Sequence, residues 1–255
     1  MADYLVVRFY GPLASWGEIA VGESRHSAVH PSKSALLGLL GAALGVTRED
    51  DAGQQALFEG YRFGVKLVCA GTPLRDYHTV QAPPRQSKML WRSRRQELAD
   101  KARLGTLLSA REYRCDSLSV IAVEALPDAR WSLENLAEAL RRPCFPMYLG
   151  RKSCPLALPL APQQVTDATL YTALEQAEQN SLLALLMPEP KQPWPSWEDK
   201  SVLRSVTPRY YWEDGMEPGM QADMQVVRHD QPLSRRRWQF APRREWVALS
   251  AEGKG

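Results

Sequence analysis

One stretch of this sequence is unusually rich in basic residues, which could bind an anionic partner. Residues 74–116 carry ten lysines and arginines against five aspartates and glutamates, a net charge of +5. The remaining 22 basic and 24 acidic residues sum to −2, so this stretch accounts for the chain's formal charge of +3. Positive charge concentrated on an otherwise balanced protein indicates a polyanionic partner.

Two shorter segments also place cations where an anion could bind. Lys33 and Ser34 follow Ser32, the predicted N-cap of a helix, where free backbone N–H groups and the helix dipole favour a phosphate. A lysine that faces solvent is the alternative there. Further along, the predicted loop at residues 146–155 holds an arginine and a lysine beside a glycine, a tyrosine and a serine. Both segments are therefore candidate anion sites.

Other kinds of chemistry find little support. No carboxylate pair, glycine-rich phosphate loop or Cys/His cluster stands out, so neither a metal nor another cofactor is expected. The four cysteines form no Cys-x-x-Cys pair, which favours ordinary thiols. The first residues show no charged, apolar, small-residue signal, so no secretory leader is expected, and no apolar run reaches the ~18 residues of a membrane span. We therefore expect a cytoplasmic protein without membrane contact.

The elements that must position these residues follow from the apolar pattern. Strands are predicted at residues 4–10, 63–69 and 118–125, and helices at residues 33–44, 47–59 and from Ser132 onwards. The strand at residues 4–10 is apolar throughout, which suits a central strand covered on both faces. The order strand, helix, strand, strand, helix indicates a split βαβ, ferredoxin-like unit, a class that includes the RNA-recognition modules.

The predicted organisation is an α+β chain in two parts. Residues 1–160 form the ferredoxin-like palm, with a basic insertion at about residues 81–111. Residues 161–255 form a β-rich C-terminal subdomain. It would begin with a helix at residues 165–178, followed by a stiff proline-rich connector at residues 188–195 and strands at residues 202–212, 224–229, 236–240 and 245–249.

Several blocks of this chain match a known family in order. They are GPLASWG (11–17), PSKSALLGLLG (31–41), LRDYHTV (74–80), REYRCD (111–116), YLGRKSCPL (148–156) and REW (244–246). The chain resembles the CasD family, the subunit of the CRISPR Cascade surveillance complex of subtype I-E that holds the 5′ end of the guide RNA. Two features depart from the family pattern: a long, arginine-rich insertion, and extra sequence at residues 188–197.

The resemblance implies a palm with a thumb, formed by the insertion after His78, that crosses the guide RNA. It implies a non-catalytic RNA-binding subunit, since a sister subunit, CasE, cuts the precursor. The implied partners are the 5′ handle of the crRNA, a CasC-like backbone subunit whose filament this chain would cap, and a CasA-like large subunit. Target DNA would be met through the complex.

A single-stranded RNA end needs cations for phosphates, short donors for hydroxyls and base edges, and planar groups for stacking. The matching blocks supply all three, and Trp16 is interpreted as a core residue rather than a stacking platform. Gly150 would let the backbone approach the RNA closely. The assigned residues are Arg25, Lys33, Arg111, Arg151 and Lys152 for phosphates, Ser34 and Ser153 as hydroxyl donors, and Tyr148 for stacking. The implied fold should bring the loop at residues 151–153 near Arg111.

Two alternatives remain open at this point. A metal-independent endoribonuclease would need an acid, a base and a cation, which Tyr77, His78 and Lys33 could supply if they converge. The competing interpretation is that His78 packs at the base of the thumb. The second alternative is a scaffold whose basic segments contact acidic residues of partner proteins.

Overall fold

The computed structural model describes residues 1–20, 22–84, 90–176 and 207–249. Its strands are β1 (Ala2–Ala14), β2 (Trp16–Gly17), β3 (Ser24–Arg25), β4 (Ser27–Ala28), β5 (Tyr61–Cys69), β6 (Thr72–Ala82), β7 (Gly105–Ala125), β8 (Gln163–Ala168), β9 (Arg209–Glu213), β10 (Met224–Ser234) and β11 (Gln239–Ala248). Its helices are α1 (Lys33–Leu44), α2 (Asp51–Gly60), α3 (Arg94–Glu97), α4 (Leu133–Arg141) and α5 (Leu170–Gln176), with a 3₁₀ turn at Lys101–Arg103.

One large sheet organises the described residues. Seven strands follow the order β10-β11-β9-β5-β7-β1-β8 and pair antiparallel, while β3 and β6 also pair with β7. The predicted mixed α+β class is therefore confirmed. The C-terminal strands continue this sheet because β9 pairs with β5. The predicted division at residue 160 thus falls within one continuous sheet.

Helices cover both faces of the sheet. Alternate residues of β1 enter two separate cores, with Leu5 and Val7 packing under α1, α2 and α4, and Tyr4 and Val6 packing under α5. This explains why β1 is apolar along its whole length, as predicted. Trp16 is 3% exposed and lies in the first core, which confirms its interpretation as a core residue. Within the described ranges, no helix is long and apolar enough to cross a membrane.

Local capping signals fixed the helix ends. The Ser32 side chain accepts a hydrogen bond from the Ala35 N–H at the start of α1, and Gly45 ends this helix at a left-handed φ of 77°. Ser132 forms a capping box with Asn135 at the start of α4. These three ends were predicted. The second helix begins later than predicted, at Asp51, because Asp50 is its N-cap.

The predicted helix at residues 165–178 is wrong in its first turn. Residues 163–168 form β8, in which Val165 pairs with Tyr4 of β1, and α5 begins only at Leu170. Hydrogen bonding along the edge of the sheet outweighs a weak helical pattern at this position. Residues 177–178 of that helix, the connector at residues 188–195 and residues 202–206 of the next predicted strand lie outside the described residues.

A two-stranded ribbon grows out of the sheet at the predicted insertion. It consists of residues 72–82 of β6 and 105–115 of β7, paired without a register shift from Thr72–Cys115 to Ala82–Gly105. Eleven residues per strand correspond to a ribbon about 35 Å long. β1 pairs with β7 only as far as Arg114, so most of the ribbon extends beyond β1. The predicted insertion at residues 81–111 therefore includes only part of this ribbon.

Candidate nucleic-acid interface

Two arginines lie side by side at the half of the ribbon nearer the sheet, residues 72–76 and 111–115, which we call its root. Short strand β3 runs parallel to β7 and places Arg25 in register with Arg111. Asp76 faces Arg111 from β6, but its carboxylate contacts His78 instead. Within the described residues, the Arg111 side chain has no ion pair or hydrogen bond, and the Arg25 side chain donates only to the Ala20 carbonyl. Adjacent like charges without a neutralising partner favour a bound anion.

The neighbouring acid does not neutralise this pair. Glu112 follows Arg111 on the strand, so its side chain lies on the opposite face of the ribbon. There its Oε1 binds Arg75 at 2.7 Å and His26 at 3.3 Å. The hydrogen bond from Arg75, helped by His26, lowers the pKa of Glu112. The positive charge on the Arg111 face therefore stays available.

The loop at residues 148–155 comes to this root, as the sequence predicted. The Arg151 guanidinium donates to the backbone carbonyls of Glu112 at 3.2 Å and Arg25 at 3.3 Å, and it lies 4.8 Å from the ring centroid of Tyr113. These bonds make Arg151 a tie between the loop, β3 and β7. Lys152 and Ser153 follow it and are exposed. Their RNA-binding roles, like those of Arg25 and Arg111, stay predictions.

Gly150 is needed for a reason that the sequence did not reveal. Its φ is +86°, and a Cβ at this position would lie 1.9 Å from the Ser15 carbonyl oxygen. The Ser15 N–H also donates to the Leu149 carbonyl at 3.0 Å. The close approach that Gly150 permits is therefore to the protein's own backbone, whereas the sequence predicts an approach to RNA.

Lys33 is not placed to bind a phosphate, which corrects the prediction. It is 6% exposed, and its Nζ lies 2.7 Å from Glu213 Oε2. Its backbone N–H donates to Asp230 Oδ2 at 2.7 Å. The anion expected at the start of α1 is thus a carboxylate from β10. Sequence patterns could not show this, because the two acids lie about 200 residues further along the chain.

The Lys33–Glu213 pair belongs to a buried group of charges that joins α1 to the C-terminal strands. Arg243 binds Asp230 Oδ1 at 2.7 Å and Glu245 Oε1 at 2.6 Å. Burial raises the pKa of Glu213, against the opposing effect of Lys33 and Arg243. The charges stabilise one another, so removing one of them would leave its partner as an uncompensated buried charge.

Ser34 is bound by an arginine that the site prediction missed. Arg235 Nη2 donates to the Ser34 carbonyl at 2.6 Å, while the Ser34 hydroxyl pairs with that of Ser32. Burial and the charge of Arg48 lower the pKa of Arg235, whereas Tyr148 raises it, so Tyr148 lies within electrostatic range. The Tyr148 side chain is 42% exposed. The arginine triplet at residues 235–237 was the available signal.

The proposed catalytic residues do not converge. Tyr77 and His78 are neighbours on β6, so their side chains lie on opposite faces of the ribbon. His78 contacts Asp76 at the root of the ribbon, Tyr77 is 62% exposed, and Lys33 is held by Glu213. The three residues therefore do not form an acid–base site in this structure.

Comparison with known proteins places the chain in a family. The family model described as CRISPR-associated protein (Cas_Cas5) matches residues 4–245. The chain belongs to this Cas5 family. Over 168 residues it is 36% identical to the CRISPR system Cascade subunit CasD of Escherichia coli (strain K12), covering 63% of this chain and 70% of that protein.

Solved structures have the same fold. A crystal structure of a Cas protein matches this Cas5 chain with a TM-score of 0.62 and 25% identity, over 98% of this chain and 96% of the other. A chain of a CRISPR RNA-guided surveillance complex matches with a TM-score of 0.61 and 21% identity, over 97% of this chain and 90% of the other. The overall fold described above is therefore a known architecture.

Proposed function

We propose that this chain is a non-catalytic RNA-binding subunit of a type I CRISPR Cascade complex. In this role it holds the 5′ handle of the crRNA and caps the backbone filament, and its thumb crosses the guide. The 36% identity to the Cascade subunit CasD supports membership of such a complex. Its neighbours would be a CasC-like backbone subunit and a CasA-like large subunit, with target DNA reached through the complex.

The observation that carries the RNA-binding role is the root of the ribbon. Arg25 and Arg111 occupy paired positions, and neither forms an ion pair within the described residues. The Arg151 tie brings exposed Lys152 and Ser153 to the same root. Unpaired cations and a hydroxyl on a fixed backbone suit the phosphates and 2′-hydroxyls of single-stranded RNA.

The strand order supports a ferredoxin-like palm beneath this site. Strands β8, β1, β7 and β5 are neighbours in that order and all pair antiparallel. Helices α1 and α2 follow β1, and α4 follows β7, as in a doubled βαβ unit. The ribbon then corresponds to the thumb, inserted between β5 and the palm half of β7.

A non-catalytic role agrees with the placement of the residues that cleavage would need. Tyr77 and His78 lie on opposite faces of the ribbon, and Lys33 is bound to Glu213. General acid–base cleavage requires these groups within hydrogen-bond reach of one substrate. Incubation with precursor crRNA in the absence of metal tests this part, and we expect no specific cleavage.

Fluorescence anisotropy with a labelled single-stranded RNA tests the binding role. If Arg25, Arg111 and Lys152 contact about three phosphates, log K falls with log salt at a slope near −2.1. Arg111→Ala/Lys152→Ala should reduce that slope by about 1.4. The matched control is Arg141→Ala/Arg142→Ala at the end of α4, which removes the same charge elsewhere. A slope that changes equally in both variants contradicts the proposed site.

A further inference from the structure

A strained and exposed tryptophan marks the turn between β10 and β11. We call residues 234–239 the hairpin tip. Trp238 has a φ of +55° and is 58% exposed. A bulky residue in the left-handed region costs free energy, and such strain concentrates at functional sites. The indole packs edge-on against Phe240, with ring centroids 5.5 Å apart, but this contact leaves more than half of its surface exposed.

Arginines surround this indole. The guanidinium carbons of Arg48 and Arg235 lie 5.6 and 5.4 Å from the Trp238 ring centroid. Arg236 and Arg237 are exposed, and in the described part of the chain neither side chain has an ion pair or hydrogen bond. An aromatic face interleaved with unpaired arginines is the combination that binds a single nucleic-acid strand.

A polar cleft opens beside the hairpin tip. Its volume is about 550 Å³, within the range of ~300–1,000 Å³ typical of ligand sites. Gln54, Gln55 and Asp51 of α2 form one wall, and the tip forms the other. The Asp51 carboxylate repels phosphate but accepts hydrogen bonds from base amino groups. The cleft therefore suits a base, with the phosphates on the side of Arg236 and Arg237.

One loop connects the hairpin tip with the proposed RNA site. Arg235 of the tip donates to the Ser34 carbonyl, and burial lowers the pKa of Arg235 while Tyr148 raises it. Tyr148 begins the loop that Arg151 ties to the root of the ribbon. The loop at residues 148–155 therefore interacts with both the tip and the root.

We propose that the hairpin tip binds a further stretch of the same single-stranded RNA that the root of the ribbon holds. This inference rests on the proposed function. Arg236 and Arg237 bind consecutive phosphates, Trp238 stacks on one base, and the cleft receives a neighbouring base. The tip contributes to the binding of any RNA strand that is long enough to reach from the root to the tip.

Length dependence tests the proposal. Anisotropy is measured with the full chain and RNAs of about 6 and about 16 nucleotides, lengths within the range of about 4–16 nucleotides that single-strand sites occupy. Arg236→Ala/Arg237→Ala should weaken binding of the long RNA and reduce the slope of its log K against log salt by about 1.4. Binding of the short RNA should not change. Arg141→Ala/Arg142→Ala again serves as the equal-charge control and should affect neither length.

Trp238→Gly separates binding from folding. Glycine accepts the left-handed φ, so Tm should be maintained. Loss of one stacked base should weaken the affinity for the long RNA by roughly 5- to 150-fold. A fall in Tm with unchanged affinity for the long RNA would show that the indole is structural, and it overturns the stacking role.

The outcomes also distinguish this proposal from the proposed function. Unchanged binding of the long RNA by the tip variants, or equal weakening of both lengths, overturns the extension while leaving the root site intact. Weakening confined to the long RNA, together with loss of the short RNA in Arg111→Ala/Lys152→Ala, supports both. Unchanged RNA binding combined with lost assembly onto partner subunits assigns the tip to a protein contact and rejects the proposal.

Discussion

Replacing Lys33 with methionine should destabilise the fold without weakening RNA binding. Methionine nearly conserves the volume but leaves the Glu213 carboxylate without the cation 2.7 Å away. Removing one partner of a buried ion pair typically costs about 3–5 kcal/mol. For a chain of this size, a loss of that order lowers Tm by about 10 °C. Thermal unfolding followed by circular dichroism measures the loss.

The pH dependence of this loss identifies its cause. Burial raises the folded-state pKa of Glu213 above its unfolded value near 4.5, and Lys33 opposes that rise. A raised pKa favours the folded state while the carboxyl is protonated, and this contribution is lost as pH rises through the folded value. Without Lys33 the folded pKa rises further. The destabilisation of Lys33→Met should therefore be largest near pH 7 and shrink towards pH 4.5.

A double variant supplies the control. Lys33→Met/Glu213→Gln removes both charges and should recover most of the lost Tm, because a neutral pair avoids the uncompensated carboxylate. RNA affinity measured well below Tm should equal that of the unmodified protein in both variants. A Lys33→Met protein with normal Tm and sharply weakened RNA binding would refute this account and return Lys33 to the phosphate site.

Two further predictions concern the loop at residues 148–155. Gly150→Ala should lower stability by about 1–3 kcal/mol, because the added Cβ meets the Ser15 carbonyl at a φ of +86°. Gly17→Ala, with no heavy atom within 4 Å of its Cβ, is the control, and equal urea midpoints for the two variants would contradict the steric argument. Arg151→Lys should also lose stability, by about 1–3 kcal/mol, since one ammonium cannot keep both backbone hydrogen bonds and the stacking on Tyr113. A urea midpoint within error of the unmodified protein would show that this tie is dispensable.

Local signals in the sequence were sufficient to predict three of the helix ends. Ser32, Gly45 and Ser132 cap their helices through neighbours at most four residues away, so their roles are visible in short windows. The continuous apolar pattern of β1 likewise predicted that this strand is buried on both faces. These features depend on chemistry that each segment carries by itself.

Long-range pairing decided the features that the sequence did not reveal. Lys33 looked like a phosphate ligand because Glu213, its partner, lies 180 residues away. Val165 looked helical because its pairing with Tyr4 in β1 is invisible to a local pattern. Arg235 joins the start of α1 from the opposite end of the chain. Pair contacts across such distances cannot be read from one sequence.

The approach of the 148–155 loop to the ribbon is an intermediate case. Matching sequence blocks predicted that Arg151 and Arg111 would lie near each other, and the hydrogen bond from Arg151 to the Glu112 carbonyl confirms this. The same blocks did not distinguish a residue that ties the loop from one that faces solvent. Lys152, which is exposed, is therefore the better candidate for a phosphate contact.

Sequencing the RNA that copurifies with the chain tests the central claim most directly. Guide RNAs with a common 5′ end should copurify with the unmodified protein. They should be lost from Arg111→Glu/Lys152→Glu and kept by Arg141→Glu/Arg142→Glu, with Tm confirming that each variant folds. RNA with scattered 5′ ends, or equal retention by both variants, would contradict the claim that the root of the ribbon holds the 5′ end of the guide.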